Sequence, residues 1–145
     1  MSKSAALLAL LCAFCVGHLG SRALAETPIL NQPIDLYPVE TQILEKTNAE
    51  RAKYGLSALK LDNKLLVGAR THAAWMASSG AFQHSNQNVG ENIAMGQGTP
   101  AEAMRDWMNS SGHRANILNS SYTRVGIAAY VGSNGSIYWC QQFIW

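Results

Sequence analysis

Cysteine is scarce in this chain of 145 residues, and net charge is scarcer. Cys12, Cys15 and Cys140 are the three thiols. Two of them fall in the apolar run from Ala5 to Val16, which follows Lys3 and precedes the small-x-small triplet Ala23-Leu24-Ala25. That order predicts a secretory signal peptide over residues 1–25. The run is too short for a permanent bilayer span, so no integral membrane segment is expected after signal removal. Leu11 and Phe14 precede the two cysteines where a lipid-anchor site needs a small residue, which argues against lipidation. Cleavage after Ala25 leaves 120 residues and Cys140 alone. An intrachain disulfide is then excluded despite export. The domain must be held by its core, which a chain of this length can build.

Charged residues make up 14 % of the chain, 11 basic against 9 acidic. Lys3 and Arg22 account for the excess, so the exported part is formally neutral. Nucleic acid and anionic membrane are excluded as general partners, because both are recruited by basic surfaces. A monomer is the default. Repeats and low-complexity tracts are absent. Proline is sparse too, but Pro28, Pro33 and Pro38 cluster and mark residues 26–39 as an extended tether. Residues 40–145 remain as one domain.

Three helices and a hairpin are legible in that domain. The first spans Glu40 to Tyr54, with Ile43, Leu44 and Thr47 on one side and Gly55 at its end. The second starts at the N-cap Asp62, carries the stripe Leu65, Ala69, His72, Ala73, Met76, and stops at Gly80. Thr99-Pro100-Ala101-Glu102 opens the third, whose apolar side is Met104, Trp107 and Met108. Ser110-Ser111-Gly112 breaks it, and a short helical turn follows from Arg114 to Leu118. Asn134-Gly135 then joins two strands, Tyr122 to Val131 and Ser136 to Trp145. A two-residue loop there pairs Ser133 with Ser136, Val131 with Tyr138 and Ala129 with Cys140. One face then holds Val125, Ile127, Ala129, Val131, Tyr138, Cys140 and Ile144, the other Ala128, Tyr130, Trp139, Phe143 and Trp145. Neither is polar enough to face water, so both need cover. Val89 to Met95 adds a further strand, with Glu91 on the face of Val89 and Ile93. The expected architecture is α+β, a three-layer α-β-α sandwich.

Chemistry concentrates in three segments: His84-Ser85, Gly90-Glu91-Asn92-Ile93 and Gly112-His113-Arg114-Ala115-Asn116-Ile117-Leu118. Two imidazoles and a carboxylate in such polar surroundings are not needed to build a core. Together they suit Zn²⁺ or Cu²⁺ in an open site, with His84 and His113 as ligands. Without metal, Glu91 can orient one imidazole as a general base, which then requires a nucleophile such as Ser85 or Ser110. No strained-turn motif surrounds either serine. The plainer alternatives are a loop hydrogen bond for His84, a turn cap for His113 and an ion pair or amide bonds for Glu91, which is costly to bury unpaired. His72, on an apolar stripe, reads as a satisfied core histidine. Arg114 and Asn116 read as braces of their loop, and Cys140 as a small buried hydrophobe.

These motifs, with Trp107 to Gly112 and Tyr138-Trp139-x-Gln141-x-Phe143, resemble the CAP superfamily: cysteine-rich secretory proteins, antigen-5-like venom allergens and plant pathogenesis-related proteins. The resemblance covers Thr41 to Trp145, and the wording of the Trp107 block is similar to the bacterial branch. It implies the same sandwich around a central, mainly antiparallel sheet, a secreted or periplasmic bacterial protein, and a shallow cleft with two histidines and two acids. His84, Glu91 and His113 match three of those positions, and Asn92, Arg114 and Asn116 support them. Ser110 or Asn109 stands where the fourth acid belongs. The resemblance therefore implies a pathogenesis-related-like binding module rather than an enzyme, for a metal ion such as Zn²⁺ or another divalent cation, a lipid, a sterol or another small ligand. A metal-dependent, peptidase-like hydrolase using the two histidines, and a structural or defence-type extracellular module, are the alternatives.

Overall fold

The computed structural model describes residues 34–145; the expected signal peptide and residues 26–33 of the tether lie outside them. Four helices and four strands follow in the order α1 (Pro38–Lys53), β1 (Lys60–Leu61), α2 (Asn63–Ser79), β2 (Gly90–Met95), α3 (Pro100–Asn109), α4 (Ser111–Ile117), β3 (Arg124–Val131) and β4 (Ile137–Ile144). Among the described residues no helix is long and apolar enough to cross a membrane.

The helix starts follow their capping chemistry. Asp62 accepts from the N–H groups of Lys64 and Leu65 at 2.9 and 3.0 Å, and the Thr99 hydroxyl accepts from Glu102 N–H at 3.2 Å. Helix α1 begins at Pro38, two residues before the expected Glu40. Proline fits the first helical position because its fixed φ is already helical and its missing N–H would have had no partner. Glu40 then reaches back to accept from Tyr37 N–H at 2.9 Å. Helix α4 begins at Ser111, earlier than the expected Arg114, so Gly112 lies inside a helix rather than between two.

The strands run in the order β1-β3-β4-β2, with β3-β4 and β4-β2 antiparallel. β1, which the sequence reading did not anticipate, pairs parallel to β3 through two residues and makes the sheet mixed. Both faces are covered, as the doubly apolar strands required. Helix α2 lies on one face, with Ala69, Ala73 and Met76 against Ile93, Ala128, Tyr138 and Cys140. Helices α1, α3 and α4 cover the other, with Ile43, Met104, Trp107 and Ile117 against Val125, Ile127, Trp139 and Phe143.

That division corrects the expected hairpin register by one residue. Val131 pairs with Ile137, Ala129 with Trp139 and Ala128 with Cys140. Tyr138, Cys140 and Ile144 therefore belong to the α2 face, while Trp139 and Phe143 join Val125, Ile127 and Ala129. The cause is the turn. Gly132 N–H donates to Ser136 O at 2.8 Å and Gly135 N–H to Gly132 O at 2.9 Å, which closes a three-residue loop. Gly135 sits at φ +77°, the left-handed residue that such a loop needs. A one-residue change of register turns every side chain over.

One buried cation holds the far end of α1. Arg51, 1 % exposed, donates to the carbonyls of Ser57, Ile117, Asn119 and Tyr122 at 2.7 to 3.2 Å. It ties α1 to the segment between α4 and β3, and so fixes where α4 presents its residues.

Candidate functional site

Glu91 is the fixed point of the site. On β2 it pairs with Gln142 of β4, and it shares the α2 face with Ile93. Its side chain is 5 % exposed, and a carboxylate so enclosed must find donors. Four converge on it. Ser85 N–H donates to Oε1 at 2.8 Å and His84 Nδ1 lies 2.9 Å from the same oxygen. Gln142 Nε2 donates to Oε2 at 2.9 Å, and Cys140 Sγ stands 3.8 Å from it. Burial pushes the Glu91 carboxyl upward, but the hydrogen bonds from Gln142, Ser85 and His84 outweigh it and leave the group below the ordinary carboxylate range. Cys140 is driven the other way. Burial first, then the Glu91 charge, raises its thiol well above the usual value, so it is an inert thiol.

His84 is the exposed member, at 58 % of its side chain. In the neutral ring a carboxylate acceptor at Nδ1 favours the proton there, which leaves the lone pair on Nε2. His113, half-buried on α4, is pushed below the ordinary imidazole range by burial and by repulsion from His84, whose charge is close enough to act on it. The His113 ring is therefore a neutral imidazole near neutral pH.

The supporting asparagines join β2 to α4. Asn92, fully buried, donates to His113 O at 3.1 Å and to Gln141 Oε1 at 3.2 Å. Asn116 donates to Glu91 O at 3.2 Å and to Asn92 Oδ1 at 2.9 Å. The chain continues from Gln141 Nε2 to the Thr47 hydroxyl at 2.7 Å, and on to Ile43 O at 2.7 Å. One polar thread thus runs from α4 through β2 and β4 into α1. Arg114 is not part of it. Its guanidinium turns away to the Tyr54 hydroxyl at 2.7 Å and packs 5.4 Å above that ring.

Ser110 caps the junction of α3 and α4 without a side-chain capping bond, and Asn109 is exposed beside Lys46 and Arg105. Neither joins the three-residue cluster. His72 is the satisfied core histidine that its stripe implies: buried, stacked on Trp75 at 5.7 Å, with Nε2 2.9 Å from Gln83 O. Among the described residues no three His, Cys, Asp or Glu side chains form a metal-holding group. The sequence reading missed Gln142 and the Ser85 amide. The signal for the first was present: Gln141 and Gln142 are adjacent polar residues on opposite faces of a buried strand, so each needs a partner on its own side.

The family model described as "Cysteine-rich secretory protein family", CAP, matches residues 44–143. The chain belongs to this family. YkwD of Bacillus subtilis (strain 168) is 42 % identical over 129 residues, covering 77 % of this chain and 49 % of YkwD. The chain thus spans about half the length of that relative. An extracellular protein containing an SCP domain from Bacillus anthracis str. Ames superposes with a TM-score of 0.66 at 27 % identity, over 77 % of this chain and 45 % of that one. The structure of NaASP2 with Zn²⁺ superposes with a TM-score of 0.63 at 16 % identity, over 72 % of this chain and 78 % of that one. The last likeness shows the fold alone.

His84 and Glu91 are joined by a hydrogen bond, and His113 stands on α4 near enough for His84 to act on it electrostatically. The hollow beside His84 measures about 210 Å³ and is lined by His72, Trp75, Gln83, His84, Ser85, Asn86 and Gln87. Such a set can bind a cation or a polar ligand.

Proposed function

We propose that this is an extracellular binding module whose cleft takes a divalent cation on His84 and His113. The observation that carries the reading is the 2.9 Å contact between Glu91 and His84 Nδ1, which in the neutral ring favours the proton on Nδ1 and the lone pair on Nε2. A carboxylate behind a ligating histidine fixes the ring and raises its basicity. Imidazole donors suit zinc and copper. Only two protein ligands are offered, so water completes the sphere and the ion exchanges, unlike a closed structural site. A bound ion of this kind supplies Lewis acidity toward a carbonyl or a water. Among the described residues neither the Ser85 nor the Ser110 hydroxyl is hydrogen-bonded to an imidazole, so the cation reading is preferred to the serine-hydrolase alternative. The hollow at His84, lined by His72, Trp75, Gln83, His84, Ser85, Asn86 and Gln87, is polar enough to favour a cation or polar ligand over the lipid and sterol ligands that the family resemblance implies.

Calorimetric titration with ZnCl₂ at pH 7.5 tests the reading. One saturable site is expected, weakened at least about tenfold in His84→Ala and in His113→Ala, and about 10- to 100-fold in Glu91→Gln, the usual cost of losing the group behind a ligand. Absence of saturable binding, or wild-type affinity in both histidine variants, overturns it.

A further inference from the structure

Trp75 stands at the boundary of two hollows. One is the 210 Å³ hollow at His84; the other, about 510 Å³, runs over Ala74, Ser78, Tyr130 and Val131. The indole is 39 % exposed, and its inner face is stacked nearly parallel on His72, 5.7 Å between centroids and 11° between planes. His72 is pinned in turn to Gln83 O at 2.9 Å. An aromatic plane this firmly backed is presented to solvent at little further entropic cost.

The groups around it have unspent hydrogen-bonding capacity. Gln83, Asn86 and Gln87 line the first hollow, the Gln87 carboxamide lying over Gly68, and among the described residues none of the three carboxamides has a hydrogen-bond partner. Each carries two donors and an acceptor. Tyr130, 52 % exposed, supplies a second aromatic ring in the other hollow. No Asp, Glu, Lys or Arg lines either hollow. A rigid indole face, free amides and no fixed charge together describe a ligand that is uncharged, rich in hydroxyls and flat on one side. A pyranose fits: the C–H-bearing face of the ring packs on an aromatic plane, and its equatorial hydroxyls point outward to amides. Two hollows sharing one tryptophan describe more than one such ring.

We propose that the surface on either side of Trp75 binds a neutral oligosaccharide, with Trp75 as the stacking platform, Asn86 and Gln87 as hydroxyl partners, and Tyr130 beneath a second sugar. The proposal goes beyond the cation reading and does not rest on it. The two sites share His84, which lines the first hollow, but His113 does not line either hollow and Trp75 is not one of the two ligands.

Titration of the domain with chitotetraose and with cellotetraose, followed by calorimetry and tryptophan fluorescence, tests it. At least one tetramer is expected to bind saturably, with N-acetylglucosamine or glucose at least tenfold weaker. Trp75→Ala is expected to weaken binding about tenfold or more, from lost stacking and burial. Asn86→Ala and Gln87→Ala are each expected to weaken it about three- to tenfold, the worth of one hydrogen bond. Both lie on an exposed loop, so they carry the test if Trp75→Ala fails to fold. Trp75→Ala should keep its zinc affinity and His113→Ala its sugar affinity, which separates this proposal from the previous one. Absence of saturable binding by both tetramers overturns it. So does wild-type affinity in the folded variants, or a preference for anionic polygalacturonate or for fatty-acid vesicles through Trp75.

Discussion

Glu91 receives a main-chain amide and an imidazole from the adjacent Ser85 and His84, and a carboxamide and a thiol from Gln142 and Cys140 on β4. Its charge is stabilised by donors rather than by a permanent cation. Glu91→Gln is therefore expected to cost about 1–3 kcal/mol at neutral pH, because the new amide turns a donor toward one of the existing donors. The carboxyl sits below its ordinary value, so its stabilisation is complete above the unfolded value of 4.5 and is lost as pH falls through the lower folded value. The gap between wild type and Glu91→Gln in urea midpoint should accordingly be widest near pH 7 and close below about pH 4.5. An unchanging gap would show that the carboxylate charge is not what the donors hold. His84, Glu91 and His113 were legible as site candidates because polar chemistry stood in Gly- and Asn-rich segments. Gln142 was not, since nothing local to residue 142 says which carboxylate it will meet 51 positions away.

At the scale of elements, α2 lies so close to the sheet that β3 must have no side chain beneath it. A Cβ on Gly126 would stand 2.0 Å from the Leu65 carbonyl carbon and 2.4 Å from Leu66 N. These are backbone atoms and cannot swing aside. Gly126→Ala is expected to destabilise by at least about 3 kcal/mol in urea unfolding, at the upper end for overpacking, because the helix must lift from β3 and β4. A cost under 1 kcal/mol would mean that α2 slides freely. The stripe on α2 was readable from period 3.6, and its N-cap from Asp62. The intimacy of its contact with Gly126 was not, because a glycine in a strand marks a bulge or a bend as readily as a close approach. The hairpin divides in the same way. Asn134-Gly135 announced the turn, while the loop length, and with it the face of Tyr138 and Cys140, depended on a hydrogen bond from Gly132 to Ser136.

For the whole molecule, His113 and Glu91 are the groups through which acid is expected to act on the sandwich. His113 lies below its ordinary value of 6.5, so the unfolded chain holds more protons than the folded one just under that pH. Its contribution is complete above pH 6.5 and falls as pH drops through the lower folded value. Glu91 adds a second fall starting near pH 4.5. Relative to wild type, melting temperature measured from pH 8 to pH 3 should lose its upper fall in His113→Gln and its lower fall in Glu91→Gln. A wild-type profile parallel to both variants throughout would remove the cleft as the acid-sensitive element.

Periodicity and capping are local, and the sequence alone determined what depends on them: three helix stripes, their caps, a hairpin apolar on both faces and hence a sheet covered on both sides. The tertiary structure alone decided the parallel edge strand β1, the register of β4, the polar thread from Asn116 to Ile43, and the four donors around Glu91. Gln142 and Cys140 reach Glu91 from 51 and 49 positions away, whereas His84 and Ser85 stand seven and six residues from it and are fixed only once the loop is folded onto the sheet. A distant partner is chosen by which backbone hydrogen bonds close around it, and a pattern of residue types along one segment carries no record of that choice.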